Sequence, residues 1–355
     1  MLIMDRYIAK TIAYVTLLVM VILLALFSFS TLVNELEDVG EGSYTIWMAM
    51  QFVALSLPRM AYQLFPSVAL LGSMVGLGIL ASNSELLVMR AAGVSLSRIV
   101  ISVMKVGLII ALLAIILGEV IAPPAERYAQ NMRTEALNHN VAVNAKEGFW
   151  VRDGDNYVHV QDVYADGSLG NIAIYKVGED LQLREMTLAK QAVYDEGRWL
   201  LEDVRQSQIS ESFVSSQQRP QETRARLLNP DMLDVVSIEP EFLTTLGLYR
   251  YIGFLKDNNL EAKRYELAFW KKIVSPVATA VMVFLAIPFI FGPLRSVPVG
   301  QRVLVGTLVG IGFHMSNEIL GFVGLVYNIN PMLCTMLPTG VFFLSGLIYM
   351  RRALR

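Results

Sequence analysis

Two carboxylates lie in strongly apolar segments, where ionisable side chains are rare and often functional. Glu119 is soon followed by Pro123 and Pro124, and Glu318 directly follows Asn317, one helical turn after His314. A charged group at membrane depth either lines a pathway for a polar substrate or packs within a polar pair. Each lies about one turn from the end of its segment. Substrate contact and polar packing at the membrane interface therefore both stay open for these residues.

Nucleophilic, metal and nucleotide chemistry have no matching motif in this sequence. The histidines His139, His159 and His314 are scattered, without an HExxH pattern or a Cys/His cluster. Lys10 is followed by Thr, but no glycine loop precedes it to bind phosphates. The single cysteine, Cys334, cannot form an internal disulfide, and no GxSxG motif is present. We expect a chain with no catalytic residues, no metal and no cofactor.

The composition indicates a membrane protein. Apolar residues of the set AVILMFWYC make up 54% of the 355 residues, and the mean hydropathy is +0.50, which is too apolar for an ordinary soluble fold. The net charge of -2 lacks the positive excess typical of nucleic-acid binding. Apolar runs long enough to span a bilayer as a helix occur at about 11–33, 60–82, 99–122, 273–292, 303–322 and 332–350.

The distribution of basic residues predicts the orientation of these spans. On one side the termini and connections collect Arg6, Lys10, Arg90, Arg98, Arg295, Arg302, Arg351, Arg352 and Arg355. The short connections on the other side contain only Arg59, so the positive-inside rule places both termini in the cytoplasm. Lys271 and Lys272 lie on the outer side against this rule, and we expect them to snorkel to the interface beside Trp270.

Residues 125–268 separate the third and fourth spans and are numerous enough for a domain with its own core. Apolar alternation on both sides of 153–156, with further turns at Asp166-Gly167 and Glu196-Gly197, predicts antiparallel strands. We therefore expect a β-sandwich or jelly-roll-like domain, and a helix within 243–268 that returns to the membrane. Pro123-Pro124 are expected to end the third span. A short polar helical extension is expected to follow, with Glu126, Arg127, Gln130, Arg133 and Thr134. The chain then divides into membrane segments 1–124 and 269–355 around the β domain 125–268.

The cytoplasmic connection between the second and third spans predicts a short helix near 83–93. Ser82 to Ser84 offer an N-cap, Glu85 suits the first turn, and Gly93 is a suitable stop. A helix at this position is a surface on which a partner could act, although a capped interfacial turn has the same sequence features. In the second span, the GxxxG spacing of Gly72 and Gly76 favours close helix packing.

A series of short segments, in order along the chain, resembles the LptF/LptG family of lipopolysaccharide export permeases. The segments are Asp5–Ile8, Gly42–Tyr44, Phe65-Pro66, Ser84–Leu86 with Arg90 and Gly93, Gly148–Trp150 and, most specifically, Phe289–Pro298. The resemblance implies a six-span α-helical subunit of the bacterial inner membrane with a periplasmic β-jelly-roll after the third span. That architecture agrees with the interpretation from composition and patterning.

The resemblance also implies partners and an energy source. These are a second permease, LptF, a dimer of the cytoplasmic ATPase LptB, and the single-span protein LptC. Together they would extract lipopolysaccharide from the inner membrane and pass it to a periplasmic bridge toward the outer membrane. ATP and Mg²⁺ would be bound by the ATPase, and Glu85, with Arg90, would lie in the coupling helix that contacts it.

In this family the cavity is formed by spans one and five of each permease, which implies a set of lipid-contact residues. They are Thr31, Val33, Phe313, Asn317, Glu318 and Leu320, together with Arg133, whose guanidinium suits bidentate binding of phosphate. Some relatives have lysines where this chain has Thr31, Glu35, Glu37 and Asp38. A bridging divalent cation, or a lipid with fewer phosphates, is therefore an open hypothesis.

Two other functions compete with an ATP-driven permease. A proton-coupled secondary carrier would use Glu119, Glu318 and His314, but such carriers need a buried relay and usually contain internal repeats, neither of which the sequence shows. An intramembrane enzyme is disfavoured by the missing catalytic motifs.

Overall fold

The protein, seen in a computed structural model, divides into two compact units. The structure describes residues 3–137, 143–153, 156–164, 168–178, 182–195, 197–209, 214–224, 240, 243–257, 261–291 and 297–354. The first unit draws on Met1–Val33, Val53–Glu126 and Glu266–Arg355, and the second on Asn34–Phe52 and Arg127–Tyr265. Residues 34–52, which connect the first two spans, thus belong to the same unit as the inserted domain.

Six helices within the described residues are long and apolar enough to cross a membrane, as the sequence predicts. They exceed the apolar runs in length because their polar ends continue the helix. In chain order the helices are α1 (Ile3–Glu35), α2 (Ile46–Ser82), α3 (Glu85–Ala91), α4 (Leu96–Ile116), α5 (Ala122–Leu137), α6 (Thr245–Asp257), α7 (Lys263–Phe291), α8 (Val299–Val326) and α9 (Pro331–Leu354). Of these, α3 and α6 are short, and α4 and α5 belong to one continuous span.

The prediction that Pro123-Pro124 end the third span is wrong. The helix continues through both prolines because a π-helical turn, Leu117–Ile121, directly precedes α5. In this wider turn the N–H of Ala122 donates to the carbonyl of Leu117, five residues back. Proline lacks an N–H and clashes with a regular preceding turn, and the altered turn accommodates it. The polar helical extension predicted after the prolines is confirmed as α5, and it continues the helix of the third span without a break.

The core of the first unit is built where helices approach closely. Ile8 and Ile12 of α1 are fully buried against Leu77 of α2 and Ile99 of α4. A side chain at Gly76 would come within 3.1 Å of the Ile12 backbone, so the small residue permits the approach. The close packing predicted from the GxxxG spacing is thus confirmed.

The inserted domain contains a six-stranded antiparallel sheet with the strands in sequence order, a meander. The strands are β1 (Val143–Asp153), β2 (Asn156–Val163), β3 (Leu169–Val177), β4 (Leu183–Asp195), β5 (Arg198–Ile209) and β6 (Val214–Arg224). The predicted hairpin is confirmed by the pairing of Asp153 with Asn156. Gly197 turns with a φ of 84°, whereas Asp166-Gly167 lies outside the described residues. A helical membrane protein with an inserted antiparallel β domain is the observed fold class.

The sheet has its own hydrophobic core, which makes the insert a domain in the physical sense. Val160, Ile172 and Trp199 are buried together, and Phe254 of α6 packs against them. The helix predicted within 243–268 is observed as α6 and the start of α7, and residues 258–260 between them lie outside the described part of the chain.

Candidate functional site

The short helix α3 presents a small surface that its own chain leaves uncovered. Leu86 is 4% exposed and anchors the helix, whereas Leu87 and Val88 are 54% and 64% exposed. Arg90 is also exposed, and Glu85 is partly buried with its carboxylate accepting a hydrogen bond from Asn83 at 3.2 Å. An anchored helix with adjacent exposed apolar and charged side chains has the character of a docking surface.

The ends of α3 were only partly predictable. Gly93 ends the helix in the left-handed region, with φ 86°, and the N–H of Val94 donates to the carbonyl of Met89 at 3.1 Å, as in a Schellman motif. The predicted serine N-cap is wrong. Ser84 has φ 60° and makes no side-chain cap bond, because this backbone conformation differs from the extended one of an N-cap. Ser82 instead donates to the carbonyl of Gly78 at 2.8 Å.

Arg302 of α8 connects two helices. In the sequence it was noted only as one of the basic residues on the cytoplasmic side. It is 1% exposed, and its guanidinium donates to the carbonyl of Gly78 at 2.5 Å and to the hydroxyl of Ser82 at 3.0 Å. A cation at the C-terminal end of a helix is favoured by the helix dipole. Arg302 thus joins the beginning of α8 to the end of α2, just before α3.

Arg133 of α5 is the centre of a polar cluster in the second unit. Its Nε donates to Glu35 at 2.9 Å, and its Nη2 pairs with Asp38. The guanidinium also lies 5.7 Å from the centroid of the Phe52 ring, within range of a cation–π contact. Glu35 and Asp38, two of the acidic residues singled out in the sequence, are therefore partners of this arginine.

Tyr44 is a buried hydrogen-bond partner of Glu35 in this cluster. Its hydroxyl donates to Glu35 at 2.8 Å, and it is 1% exposed. Burial, together with this bond to Glu35, raises the pKa of Tyr44 well above its ordinary value, so the phenol stays a donor. The neighbouring Ser43 N–H donates to the Ala136 carbonyl at 2.8 Å. These contacts fasten the loop 36–44 to the end of α5.

The candidate residues on α8 have unequal environments. Phe313 is 3% exposed and packs edge-to-face on Phe342, with centroids 5.2 Å apart, so it is enclosed by its own chain. Asn317 and Leu320 are partly exposed. Glu318 is also partly exposed and accepts from the Lys271 ammonium at 3.0 Å.

Of the two lysines that contradict the positive-inside rule, Lys272 is buried and does not snorkel as predicted, whereas snorkelling of the partly exposed Lys271 stays a prediction. Lys271 pairs with Glu318, and Lys272 is 9% exposed, with its ammonium 3.6 Å from Glu119 and 3.3 Å from the carbonyl of Gly118. Gly118 lies in the π-helical turn. Both carboxylates singled out in the sequence thus lie in ion pairs between helices. No spacing along the chain predicts these partners.

The helices that carry the remaining candidates are the least buried spans of the chain. In an apolar stretch of 18 residues within each helix, only 22% of α1 and 17% of α8 is buried by the rest of the chain. The corresponding shares are 67% for α2 and 56% for α7. On α1, Thr31 is partly exposed and Val33 is 46% exposed.

No cluster of three or more His, Cys, Asp or Glu side chains suited to a metal occurs in the described part of the chain.

Comparison with known proteins agrees with this architecture. The family described as lipopolysaccharide export system permease LptF/LptG matches residues 6–352. The chain is 37% identical over 353 residues to the lipopolysaccharide export system permease protein LptG of Escherichia coli K12, covering 99% of this chain and 98% of that protein. Its identity to LptG of Haemophilus influenzae is 39% over 344 residues, 96% and 95% of the two chains. The similarity to E. coli LptF is 27% over 169 residues, 47% and 46% of the chains.

Proposed function

The chain belongs to the family of lipopolysaccharide export system permeases LptF/LptG, and from this premise we propose that it is the LptG-type subunit of an ATP-driven transporter. In this proposal it works with an LptF permease, an LptB ATPase dimer and LptC to extract lipopolysaccharide from the inner membrane. The lipid then passes to a periplasmic bridge toward the outer membrane. The near full-length similarity to LptG relatives supports the assignment to this type.

The observation that carries the proposal is the poor burial of α1 and α8. These helices hold Thr31, Val33, Asn317, Glu318 and Leu320, and they expose apolar surface that the chain itself does not cover. We propose that these faces, with their counterparts on LptF, enclose the acyl chains. Phe313, which is buried, would support this wall from behind. Arg133 would meet a phosphate of the headgroup.

The energy for extraction has to enter through another chain. Each acyl CH₂ removed from the bilayer costs about 0.8 kcal/mol, and several acyl chains leave together. We propose that ATP binding by LptB moves α3 through contacts at Glu85 and Arg90, and that this movement narrows the cavity. The exposed Leu87 and Val88 beside them supply apolar area for docking.

The proposed orientation places both termini and α3 in the cytoplasm and the sheet in the periplasm. The beginnings of α1 and α4 lie at one end of the first unit, where Asp5 accepts from Ser102 at 2.8 Å. Arg6 and Arg98 belong to the same end, which supports its assignment to the positive, cytoplasmic side. The six apolar helices are consistent with a multi-pass inner-membrane protein.

The proton-coupled carrier is the weaker alternative. Glu119 and Glu318 are partners of Lys272 and Lys271 in ion pairs between helices, a structural role that does not require proton exchange. Replacing Glu318 with Gln separates the two functions. A carrier should lose transport, whereas the ATP-driven permease should keep most of it.

Co-purification of the tagged chain from its native membrane in mild detergent tests the proposal. We expect mass spectrometry to find a second permease of similar size, an ATPase and lipopolysaccharide with it. Glu85→Ala should reduce recovery of the ATPase while leaving the second permease bound, and Glu37→Ala, a carboxylate removed from an exposed loop, serves as the control. Recovery of the chain alone or as a homodimer, under conditions that preserve other membrane complexes, would refute the proposal.

A further inference from the structure

Arg133 has two carboxylate partners that differ in how firmly the fold holds them. The Glu35 side chain is 10% exposed and is also bonded to the buried hydroxyl of Tyr44. The Asp38 side chain is 31% exposed and belongs to the loop that follows α1. Because a partly exposed ion pair contributes little net free energy, the Asp38 contact is the exchangeable one of the two.

We propose that Asp38 occupies the phosphate-binding side of Arg133 and is replaced there by a phosphate group, while Glu35 keeps the guanidinium in position. This inference rests on the proposed function, in which Arg133 meets a phosphate of the transported lipid. Asp38 is then a specificity-determining residue: a ligand displaces it only when its own anionic group binds Arg133 better than a carboxylate does. A guanidinium can bind a phosphate through two parallel hydrogen bonds, as it does a carboxylate.

The charges of the cluster give this exchange its selectivity. One arginine faces two carboxylates, so the cluster carries a net negative charge before the ligand arrives. A phosphate monoester carries a charge of about -1.5 to -2 at pH 7. Repulsion from Asp38 therefore opposes its approach until the aspartate leaves the guanidinium. Lipids without an accessible phosphate gain nothing from the exchange, and Asp38 stays in place.

The same geometry weighs against a bridging divalent cation at this position. Glu35 and Asp38 are the acidic residues that would bind it, yet both are directed at Arg133. Placing a cation between them would bring it next to a guanidinium and would cost the ion pairs. Binding of the lipid should therefore be unchanged by a chelator.

Affinity measurements on the complex purified with its partners test the proposal. The probes are bis-phosphorylated lipid A, the same lipid after phosphatase treatment, and inorganic phosphate as a competitor. We expect Asp38→Asn to tighten binding of the phosphorylated lipid roughly fivefold and to leave the dephosphorylated lipid unchanged. Asp38→Ala should give the same gain. Glu37→Gln, which removes the same charge from an exposed side chain of the same loop, is the matched control and should change binding much less.

The Arg133→Gln background separates this inference from the function on which it rests. If Arg133→Gln leaves the affinity for phosphorylated lipid unchanged, the proposed contact between Arg133 and the headgroup fails. If Arg133→Gln weakens binding but Asp38→Asn does not tighten it, only the exchange is refuted. A gain that persists in Arg133→Gln/Asp38→Asn, equal tightening in Glu37→Gln, or loss of binding with a chelator would each overturn the exchange. Competition by inorganic phosphate as strong as by the lipid would refute the lipid headgroup as the ligand and identify free phosphate instead.

Discussion

Lys271 and Lys272 are neighbours in sequence, but their ion pairs lie in different environments. The Lys272 side chain is 7% exposed and its partner Glu119 is 29% exposed, whereas Lys271 and Glu318 are 29% and 44% exposed. Removing one member of a buried pair leaves a charge without compensation, whereas a partly exposed pair contributes little net free energy. The two lysines therefore form a natural comparison.

We expect Lys272→Met to destabilise the protein by about 3 kcal/mol. Lys271→Met should cost about 1 kcal/mol or less. The thermal unfolding midpoint of the purified complex in detergent measures the difference. The double variant Lys272→Met/Glu119→Gln should recover much of the loss, because it removes the charge that the single variant leaves unpaired. Equal midpoints for the two lysine variants would contradict this account.

The partners of these charged residues could not be predicted from the sequence. Arg133 and Glu35 are 98 positions apart, and Lys271 and Glu318 are 47 apart. Each of these residues was noticed for its type, as a charge at or near an apolar segment. Their pairing depends on which helices become neighbours, and that depends on the packing of the whole unit. The helix stop at Gly93 is a local feature that needed no such knowledge and was predicted.

At the scale of elements, the contact between α2 and α8 depends on a glycine. A Cβ at Gly78 would come within 2.5 Å of the Arg302 guanidinium, which already bonds the carbonyl of the same residue. The absence of a side chain thus allows the buried arginine to reach the helix end. The pair fixes the first turn of α8 beside the residues that lead into α3.

We expect Gly78→Ala to destabilise the complex by about 1 to 3 kcal/mol, because the added methyl group displaces Arg302. Gly312→Ala is the matched control, since it lies within α8 and no atom lies within 4 Å of its added methyl group. Thermal unfolding should detect a lower midpoint for the first variant and little change for the second. A normal midpoint for Gly78→Ala would show that Arg302 relocates without cost.

The elements themselves were predictable wherever local sequence decides the structure. Apolar runs predicted all six spans, and alternation around 153–156 predicted the first hairpin. The failure at Pro123-Pro124 has a physical cause. Proline prevents a regular α-helical hydrogen bond, but the π-helical turn 117–121 supplies a different bonding pattern that lets the chain remain helical. No residue type in that turn distinguishes it reliably from the end of a helix.

At the scale of the whole molecule, the spans differ in how much of their surface the chain itself covers. Helices α2 and α7 are largely covered by their own chain, but α1 and α8 are not. An apolar face inside a membrane can be covered by lipid, by another permease or by the transported lipid. A photocrosslinking residue placed on these faces distinguishes the three, and the buried α2 provides a comparison in the same chain.

We expect p-benzoylphenylalanine at Phe29 of α1 and at Ile311 of α8 to crosslink the second permease or lipopolysaccharide. These side chains are 69% and 51% exposed. The same residue at Met74 of α2, which is fully buried, should crosslink only within the chain, provided that the complex still assembles. If ATP turnover narrows the cavity, the yield of lipopolysaccharide adduct at Phe29 or Ile311 should fall when ATP is added and should stay constant in Glu85→Ala. Adducts with phospholipid alone at both positions would mean that these faces border the bulk membrane, and that the lipid is extracted by another surface.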